Sequence, residues 1–134
     1  MSNAWEALCA YAETTARWRN TAALLQWDQE TGMPYPAAGL RAEQSADLTR
    51  LLHQRQHDGT WEDLLKAAKN ESEKLSDREQ KALAFWEKEQ EKNKRIPESH
   101  VIALSRLQSR AFLAWNNARE GKNKEAYLDC ISEL

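Results

Sequence analysis

Glycine, proline and cysteine are scarce in this sequence. Its 134 residues include 4 glycines, 3 prolines and 2 cysteines. Because glycine and proline supply turns and end regular elements, this scarcity leaves little of the chain for loops and favours long helices. Cys9 and Cys130 lie within amphipathic helical patterns, where free cysteine is commonly a small buried hydrophobe in a reducing compartment. We therefore expect no disulfide between them.

Long apolar runs and an excess of one charge are also missing. No segment approaches the continuous apolar length that crosses a bilayer, and MSNAWEALCAYAE at the start lacks the basic residues and apolar run of a secretion signal. These absences predict a cytoplasmic protein. The 19 basic and 21 acidic side chains are interspersed, so we expect neither nucleic acid nor a membrane surface as a partner.

Helical periodicity dominates what is present. Apolar residues recur at spacings of three and four, whereas sustained strand alternation and repeats of fixed period are lacking. The pattern predicts an all-α fold, an antiparallel helical bundle of about five to six helices with a long first helix. A chain of this length can bury one core, so we predict a single helical domain over residues 1–134.

Helix boundaries follow from caps and breakers. We expect the first two helices at 4–31 and 37–57, and a third that begins with Thr60 as its cap. A fourth runs from a Ser76–Glu79 capping box to about 95, and a fifth begins after Pro97 and ends at Gly121. A sixth begins after Asn123, which serves as its cap. Gly32 is expected to close the first helix in the left-handed conformation. The predicted inward positions include Ala16, Ala23 and Trp27 in the first helix, Leu40, Gln44 and Leu48 in the second, and Leu107 and Trp115 in the fifth. The charged run at 87–94 is predicted to be a solvated surface.

Two histidines have a spacing that can serve a metal. His53 and His57 are four residues apart and would project from one helical face. A hydrolytic H-E-x-x-H helix needs a glutamate after the first histidine, and residue 54 is glutamine. A third ligand is unassigned, and a histidine near a helix carboxyl end is also explained by the helix dipole. Metal binding at these histidines is the weaker alternative, and no catalytic residue is assigned.

Charged residues flank the turn between the first two helices. Asp28 and Arg41 lie at nearly equal distances on either side of Pro34 and Tyr35, so two helices folded back at this turn would bring them together. We predict that they form an ion pair sheltered beside Trp27; the alternative is that both are solvated. Such a pair would shape a helical hairpin without taking part in catalysis.

The same stretch resembles a known family. The matching residues are LLQWDQET at 24–31, Met33-Pro34, and Arg41-Ala42-Glu43-Gln44 with Leu48. They are similar to the amino-terminal signature of the carboxypeptidase Taq family of metal-dependent carboxypeptidases. The looser agreement extends through Ser76, Pro97 and Trp115 to the end of the chain. On this resemblance, the signature residues with a structural role are Trp27, Asp28, Gln29, Met33, Pro34, Arg41, Glu43 and Gln44.

The resemblance implies helical zinc or cobalt enzymes that remove carboxyl-terminal residues from peptides, commonly as homodimers. Their amino-terminal helices form a wall or lid of a deep groove, and their H-E-x-x-H helix lies far downstream. No position of this chain matches that motif. We therefore expect no cofactor in this chain, with zinc or cobalt belonging to the complete enzyme. The ending Ser132-Glu133-Leu134, without a helix stop, leads us to expect a longer reading frame.

These observations predict the amino-terminal helical region of a zinc-dependent carboxypeptidase, not catalytic by itself. Its expected partners are the remainder of the carboxypeptidase or a homodimer partner, with peptide substrate bound only by the complete enzyme. The alternative is a free-standing helical module for protein interaction or dimerisation, which would use aromatic surface left over from the core.

Overall fold

A computed structural model describes residues 3–121 and 123–134, and this part of the chain contains six α-helices and no strand. The helices are α1 Asn3–Thr31, α2 Ala38–His57, α3 Thr60–Asn70, α4 Asp77–Asn93, α5 Glu98–Arg119 and α6 Glu125–Ser132, with short 3₁₀ turns at Tyr35–Ala37 and Ser72–Lys74. The predicted all-α helical bundle with a long first helix is confirmed. No helix in the described ranges combines the length and hydropathy needed to cross a lipid bilayer.

The fold groups into two compact units. Unit 1 comprises the described residues up to Thr21 together with Leu51–Glu98, and unit 2 comprises Ala22–Arg50 together with Ser99–Leu134. Helices α1 and α2 therefore contribute to both units. The prediction of a single domain over residues 1–134 stays a prediction.

Unit 1 has an aromatic-rich core. The rings of Trp5 and Trp86 stack with centroids 5.6 Å apart, Trp61 meets Trp86 edge to face at 5.6 Å, and Tyr11 stacks on Trp61 at 5.9 Å. Aromatic pairs at these separations add to the stability that burial of their large surfaces supplies. The buried apolar residues of this core are Trp5, Leu8, Leu65, Ala68, Leu75 and Leu83.

Unit 2 has a smaller and more polar interior. Its buried apolar residues are Ala46, Leu107, Ala114 and Cys130. Ser105 and Ser109 of α5 are buried as well, and Thr49 Oγ1 donates a hydrogen bond to Ser105 Oγ at 3.2 Å. Such hydroxyl pairs satisfy buried polar groups but bury little apolar surface. Unit 2 therefore draws less stabilisation from apolar burial than unit 1.

Three caps at the amino ends of helices were predicted, and two are present. Ser76 and Glu79 form a reciprocal capping box at the start of α4, and Asn123 Oδ1 accepts from the amides of Glu125 and Ala126 at 3.1 and 3.4 Å. Thr60 was wrong as a cap: it lies inside α3, and its amide donates to Asp58 Oδ1 at 3.0 Å. Asp58 supplies the acceptor because Gly59, with φ of 88°, turns the chain between them.

Several predicted inward positions are wrong. Ala16, Ala23, Trp27, Leu40, Gln44 and Trp115 are exposed, whereas Thr15, Ala46, Ser105 and Ser109 are buried. Periodicity identifies which residues share a helical face, but short side chains are the ones that fit where two helix backbones approach closely. The buried faces therefore carry Thr, Ala and Ser at positions that a hydrophobic pattern does not mark.

Both cysteines are free thiols. Cys130 is buried, and Cys9 is partly buried. Burial raises the pKa of the Cys9 thiol above its usual value, and the carboxylates of Glu13 and Glu79 raise it further. A thiol with a raised pKa holds its proton at neutral pH and is a poor nucleophile.

Candidate functional site

The α1–α2 hairpin contains most of the signature residues. The amides of Gly32 and Met33 both donate to Asp28 O, at 2.9 and 2.8 Å, and end α1. Pro34 O then accepts from Ala37 N at 2.9 Å within the 3₁₀ turn. Gly32 does not adopt the left-handed conformation predicted for it, since only Gly59 and Gly121 have positive φ among the described residues. The two prolines end the helix without needing a left-handed glycine.

Asp28 and Arg41 form the predicted ion pair. Arg41 Nη1 lies 2.7 Å from Asp28 Oδ2 and also donates to Leu25 O at 2.9 Å. The Arg41 side chain is 15% exposed and that of Asp28 is 44% exposed, so the pair is sheltered on the arginine side only. Trp27 itself is 64% exposed, and the shelter that its ring was expected to give the pair stays a prediction.

Other signature residues extend the contacts of Arg41. Its Nε donates to Gln44 Oε1 at 3.1 Å, and Glu43 pairs with Arg106 of α5 at 2.9 Å. Gln29 and Met33 line a groove of about 680 Å³ together with residues of the turn and of α5. All of these residues lie within unit 2, and the Glu43–Arg106 pair joins α2 to α5. The arrangement orients helices and offers no nucleophile with an adjacent base.

The structure places His53 and His57 side by side in unit 1. Their rings stack with centroids 3.9 Å apart. His57 Nδ1 lies 2.7 Å from His53 O and its Nε2 lies 3.0 Å from Asn93 O, while His53 Nε2 lies 2.9 Å from Ile96 O. A metal ligand must direct a nitrogen lone pair at the ion, whereas these nitrogens face carbonyl oxygens.

A metal needs further ligands beside the histidines. Within the described ranges, no group of three or more His, Cys, Asp or Glu side chains is arranged to hold one. Glu98 is an acidic neighbour of His53, with 3.9 Å between its Oε2 and Nδ1. The described residues therefore do not fit the zinc that the family resemblance implies.

The sequence pattern missed a cluster in unit 1. Arg55 lies 4.1 Å above the Tyr11 ring, and its Nε donates to Thr15 Oγ1 at 3.1 Å. The Tyr11 hydroxyl donates in turn to Arg55 O at 2.8 Å. Gln90 is buried, which corrects the prediction of a solvated surface at 87–94 for this one residue. Tyr11 and Thr15 are four residues apart on α1, which is the only sequence signal that could have grouped them.

Known proteins match this chain by sequence. The family profile described as carboxypeptidase Taq (M32) metallopeptidase matches residues 7–134. Thermostable carboxypeptidase 1 of Thermus thermophilus is 31% identical over 134 residues, which cover 98% of this chain and 26% of the relative. Carboxypeptidase 1 of Bacillus subtilis is 30% identical over 112 residues, covering 84% of this chain and 22% of the relative. No solved structure matches significantly. The chain thus spans about a quarter of the length of these curated relatives.

Proposed function

We propose, from the premise that the chain belongs to the carboxypeptidase Taq (M32) metallopeptidase family, that it serves as the amino-terminal helical region of a metal-dependent carboxypeptidase. Such an enzyme removes carboxyl-terminal amino acids from peptides. The chain supplies helices that shape access to the reaction centre and does not hydrolyse peptides by itself. Zinc or cobalt and the catalytic groups belong to the complete enzyme.

The chemistry of the sequence supports a non-catalytic role. Its three histidines lie at 53, 57 and 100, and none begins an H-E-x-x-H motif. Glutamine at position 54 has no basic oxygen that could take a proton, so the paired histidines lack the group that a hydrolytic zinc helix uses as its base. His100 is exposed in α5. The Asp28 carboxylate, the most sheltered acidic group of the signature, is occupied by Arg41.

One observation carries the proposal that this chain packs against further protein. The signature stretch exposes four large apolar side chains: Leu24 66%, Trp27 64%, Tyr35 67% and Leu40 65%. Large apolar side chains concentrated in so short a stretch are typical of surfaces that another polypeptide covers. The family signature therefore coincides with an exposed apolar part of unit 2, as expected of helices that line a larger enzyme.

A segment exchange tests this function. The part of the Thermus thermophilus relative that aligns with this chain is replaced by residues 1–134, and release of amino acids from an N-blocked dipeptide is measured. We expect the exchanged enzyme to release them in a chelator-sensitive manner and this chain alone to release none. A second exchanged enzyme carries Leu24→Ser, Trp27→Ser and Leu40→Ser, and we expect it to be less stable and less active. A matched control with Lys88→Ser on the exposed face of α4 should behave as the parent.

Two results would overturn the proposal. One is chelator-sensitive release of carboxyl-terminal amino acids by the purified chain alone. The other is that the exchanged enzyme folds, as judged by its melting curve, but is inactive both with and without the substitutions of its apolar residues.

A second candidate function is self-association as a free-standing helical module. Near the carboxyl end, Leu128, Ile131 and Leu134 are exposed at spacings of three residues. An exposed apolar face on a helix can bury itself against a second copy of the chain. Light scattering of the purified chain distinguishes the two: a stable dimer that Leu128→Ser and Ile131→Ser convert to a monomer favours self-association.

A further inference from the structure

Two adjoining cavities form one groove along α1 and α5 in unit 2. Their volumes are about 420 and 680 Å³, and Gln29 and Phe112 line both of them. On the α5 side the lining residues are Ser105, Ser109, Phe112, Asn116 and Glu120, which recur at spacings of three and four and so share one helical face. A helix segment of this length spans about 22 Å, which matches roughly six residues of extended chain. The groove therefore suits an elongated ligand.

Carboxamide side chains from both helices line the groove. Gln29 of α1 and Gln108, Asn116 and Asn117 of α5 make no side-chain hydrogen bond to another described residue. Gln29, Asn116 and Asn117 are nevertheless half-buried. A carboxamide carries an N–H donor and a C=O acceptor in one plane, as a peptide group does, so the two can pair through two hydrogen bonds. The lining thus presents unused groups that are complementary to peptide main chain.

The charged residues of the lining are acidic. Glu30 lines the first cavity and Glu120 the second, and no lysine, arginine or histidine of the described chain lines either one. Phosphates and carboxylates are bound mainly by cationic side chains, which this groove does not offer. The groove therefore does not suit nucleic acid or the free carboxylate at the end of a peptide. Its two carboxylates favour a neutral or basic ligand.

Apolar side chains distinguish a peptide from a carbohydrate. Phe112 lies where the two cavities adjoin, and Met33 and Leu113 line the second cavity. Successive side chains of an extended segment point to opposite sides, so every second one can pack on these apolar residues while the main chain meets the carboxamides. A carbohydrate would set hydroxyl groups against Met33 and Leu113, where they lose hydrogen bonds to water.

We propose that this groove binds an extended polypeptide segment of neutral or basic composition through its main chain. The carboxamides of Gln29 and Asn116 pair with peptide groups of the segment, and Phe112 packs against one of its side chains. The segment binds through its interior, so recognition differs from that of a carboxyl terminus by a carboxypeptidase. The site rests on the lining of unit 2 and does not depend on the peptidase reaction.

Titration calorimetry of the purified chain with the hexapeptide acetyl-TVTVKV-amide tests the proposal, and we expect saturable binding. Two control peptides carry N-methyl groups on the odd or on the even residues, which removes the N–H donors of one edge or the other. At least one of them should bind roughly tenfold more weakly, since loss of one or two hydrogen bonds corresponds to that ratio. Replacement of the lysine by glutamate should also weaken binding, most strongly at low salt.

Variants locate the binding site. Gln29→Met keeps the side-chain volume and removes the amide, so affinity for the hexapeptide should fall roughly tenfold. Asn116→Leu makes the same change on α5 and should have a similar effect. Gln54→Met is the matched control, because Gln54 is exposed on α2 and lies outside the lining, and it should bind as the parent does.

Three results would overturn the proposal. The first is no saturable binding of the hexapeptide, or equal affinity for it and both N-methylated peptides. The second is tighter binding of maltotriose than of the hexapeptide, because the groove would then take a carbohydrate. The third is parent affinity in both Gln29→Met and Asn116→Leu. Melting curves verify folding, and the comparison of peptides on the unaltered chain decides if neither variant folds.

Discussion

Arg41 Nη1 lies 2.7 Å from Asp28 Oδ2 across the turn that joins α1 to α2. The same nitrogen donates to Leu25 O, so one guanidinium satisfies a carboxylate and a carbonyl oxygen of the preceding helix. The contact gives the Trp-Asp-Gln and Arg-x-Glu-Gln parts of the signature a shared structural role. Residues 13 positions apart in sequence are held together by charge and by hydrogen bonding.

Removing Arg41 should destabilise the chain. Arg41→Met retains much of the aliphatic stem but loses both contacts, and we expect the free energy of unfolding to fall by about 1 to 2 kcal/mol, with part of the effect screened because Asp28 is partly exposed. Arg41→Lys should recover only part of this loss, because an ammonium lacks the planar fork. Urea unfolding measures both.

Arg50→Met is the matched control for Arg41. Arg50 forms an exposed pair with Asp47 three residues earlier on the same helix, at 2.9 Å. Such pairs contribute less than about 0.5 kcal/mol. Equal losses for Arg41→Met and Arg50→Met would contradict a special role for the Asp28–Arg41 pair.

Leu8 should be the most sensitive leucine of α1. It is fully buried in the core of unit 1. Leu8→Ala removes apolar contacts and leaves a cavity, so we expect a loss of about 2 to 5 kcal/mol in the free energy of unfolding. Leu24→Ala on the same helix is the control, because Leu24 is exposed, and it should change stability by less than about 0.5 kcal/mol. Chemical unfolding of both variants gives the comparison, and similar losses would disprove the assigned burial.

The capping box at the start of α4 should be measurable. Ser76→Ala removes the hydroxyl that accepts from Glu79 N, and we expect a loss of about 1 kcal/mol in the free energy of unfolding. Ser76→Thr keeps a hydroxyl in the same place and should retain most of the stability. Thermal unfolding distinguishes them, and a Ser76→Ala variant as stable as the parent would show that the cap is dispensable.

Glu79 should make stability depend on pH. Its carboxylate accepts from the Ser76 backbone amide at 2.8 Å and from the Ser76 hydroxyl at 2.7 Å, and these contacts lower the Glu79 pKa from its ordinary value of 4.5. Because the pKa is lower in the folded state, ionised Glu79 stabilises the fold above pH 4.5 and loses this effect as the pH falls through the folded value.

Glu79→Gln should therefore reduce the loss of stability on acidification. Ser76→Ala should retain most of the pH dependence, because the backbone amide of residue 76 is the larger cause of the lowered pKa. Urea unfolding at a series of pH values between neutrality and the acid limb measures these slopes. An unchanged slope in Glu79→Gln would show that other carboxyl groups cause the acid sensitivity.

Zinc should not bind stoichiometrically at His53 and His57. Three of the four ring nitrogens face carbonyl oxygens, and no group of three or more ligands is arranged to hold a metal within the described ranges. Metal analysis after dialysis against zinc should give the same low content for the parent chain and for His57→Ala. One zinc per chain in the parent, lost in His57→Ala, would refute this prediction.

Local sequence signals predicted several features correctly. The capping box needs only Ser76 and Glu79 three residues apart, and the hairpin needs only Pro34 and Pro36 between two helical patterns. The Asp28–Arg41 pair followed from their positions on either side of that turn. These features depend on residues close in the chain, where sequence spacing translates directly into distance.

Burial could not be derived in the same way. Trp27 repeats the spacing of Trp5 and Leu8 yet is exposed, while Gln90 lies in a charged run yet is buried. A helical face is defined by its own residues, but whether it is covered depends on another element far along the chain. A cavity of about 390 Å³ in unit 1 was missed for this reason, since its lining comes from α1, α2, α3 and α4.

The amino-acid sequence by itself determined the all-α class, the hairpin turn and the family, because periodicity, breakers and signature residues are properties of consecutive positions. The tertiary structure alone decided that Gln90 lies buried and that Trp27 and Leu40 are exposed. Those outcomes arise from packing between distant segments, whose free energy is shared among many side chains and is not written in any short stretch.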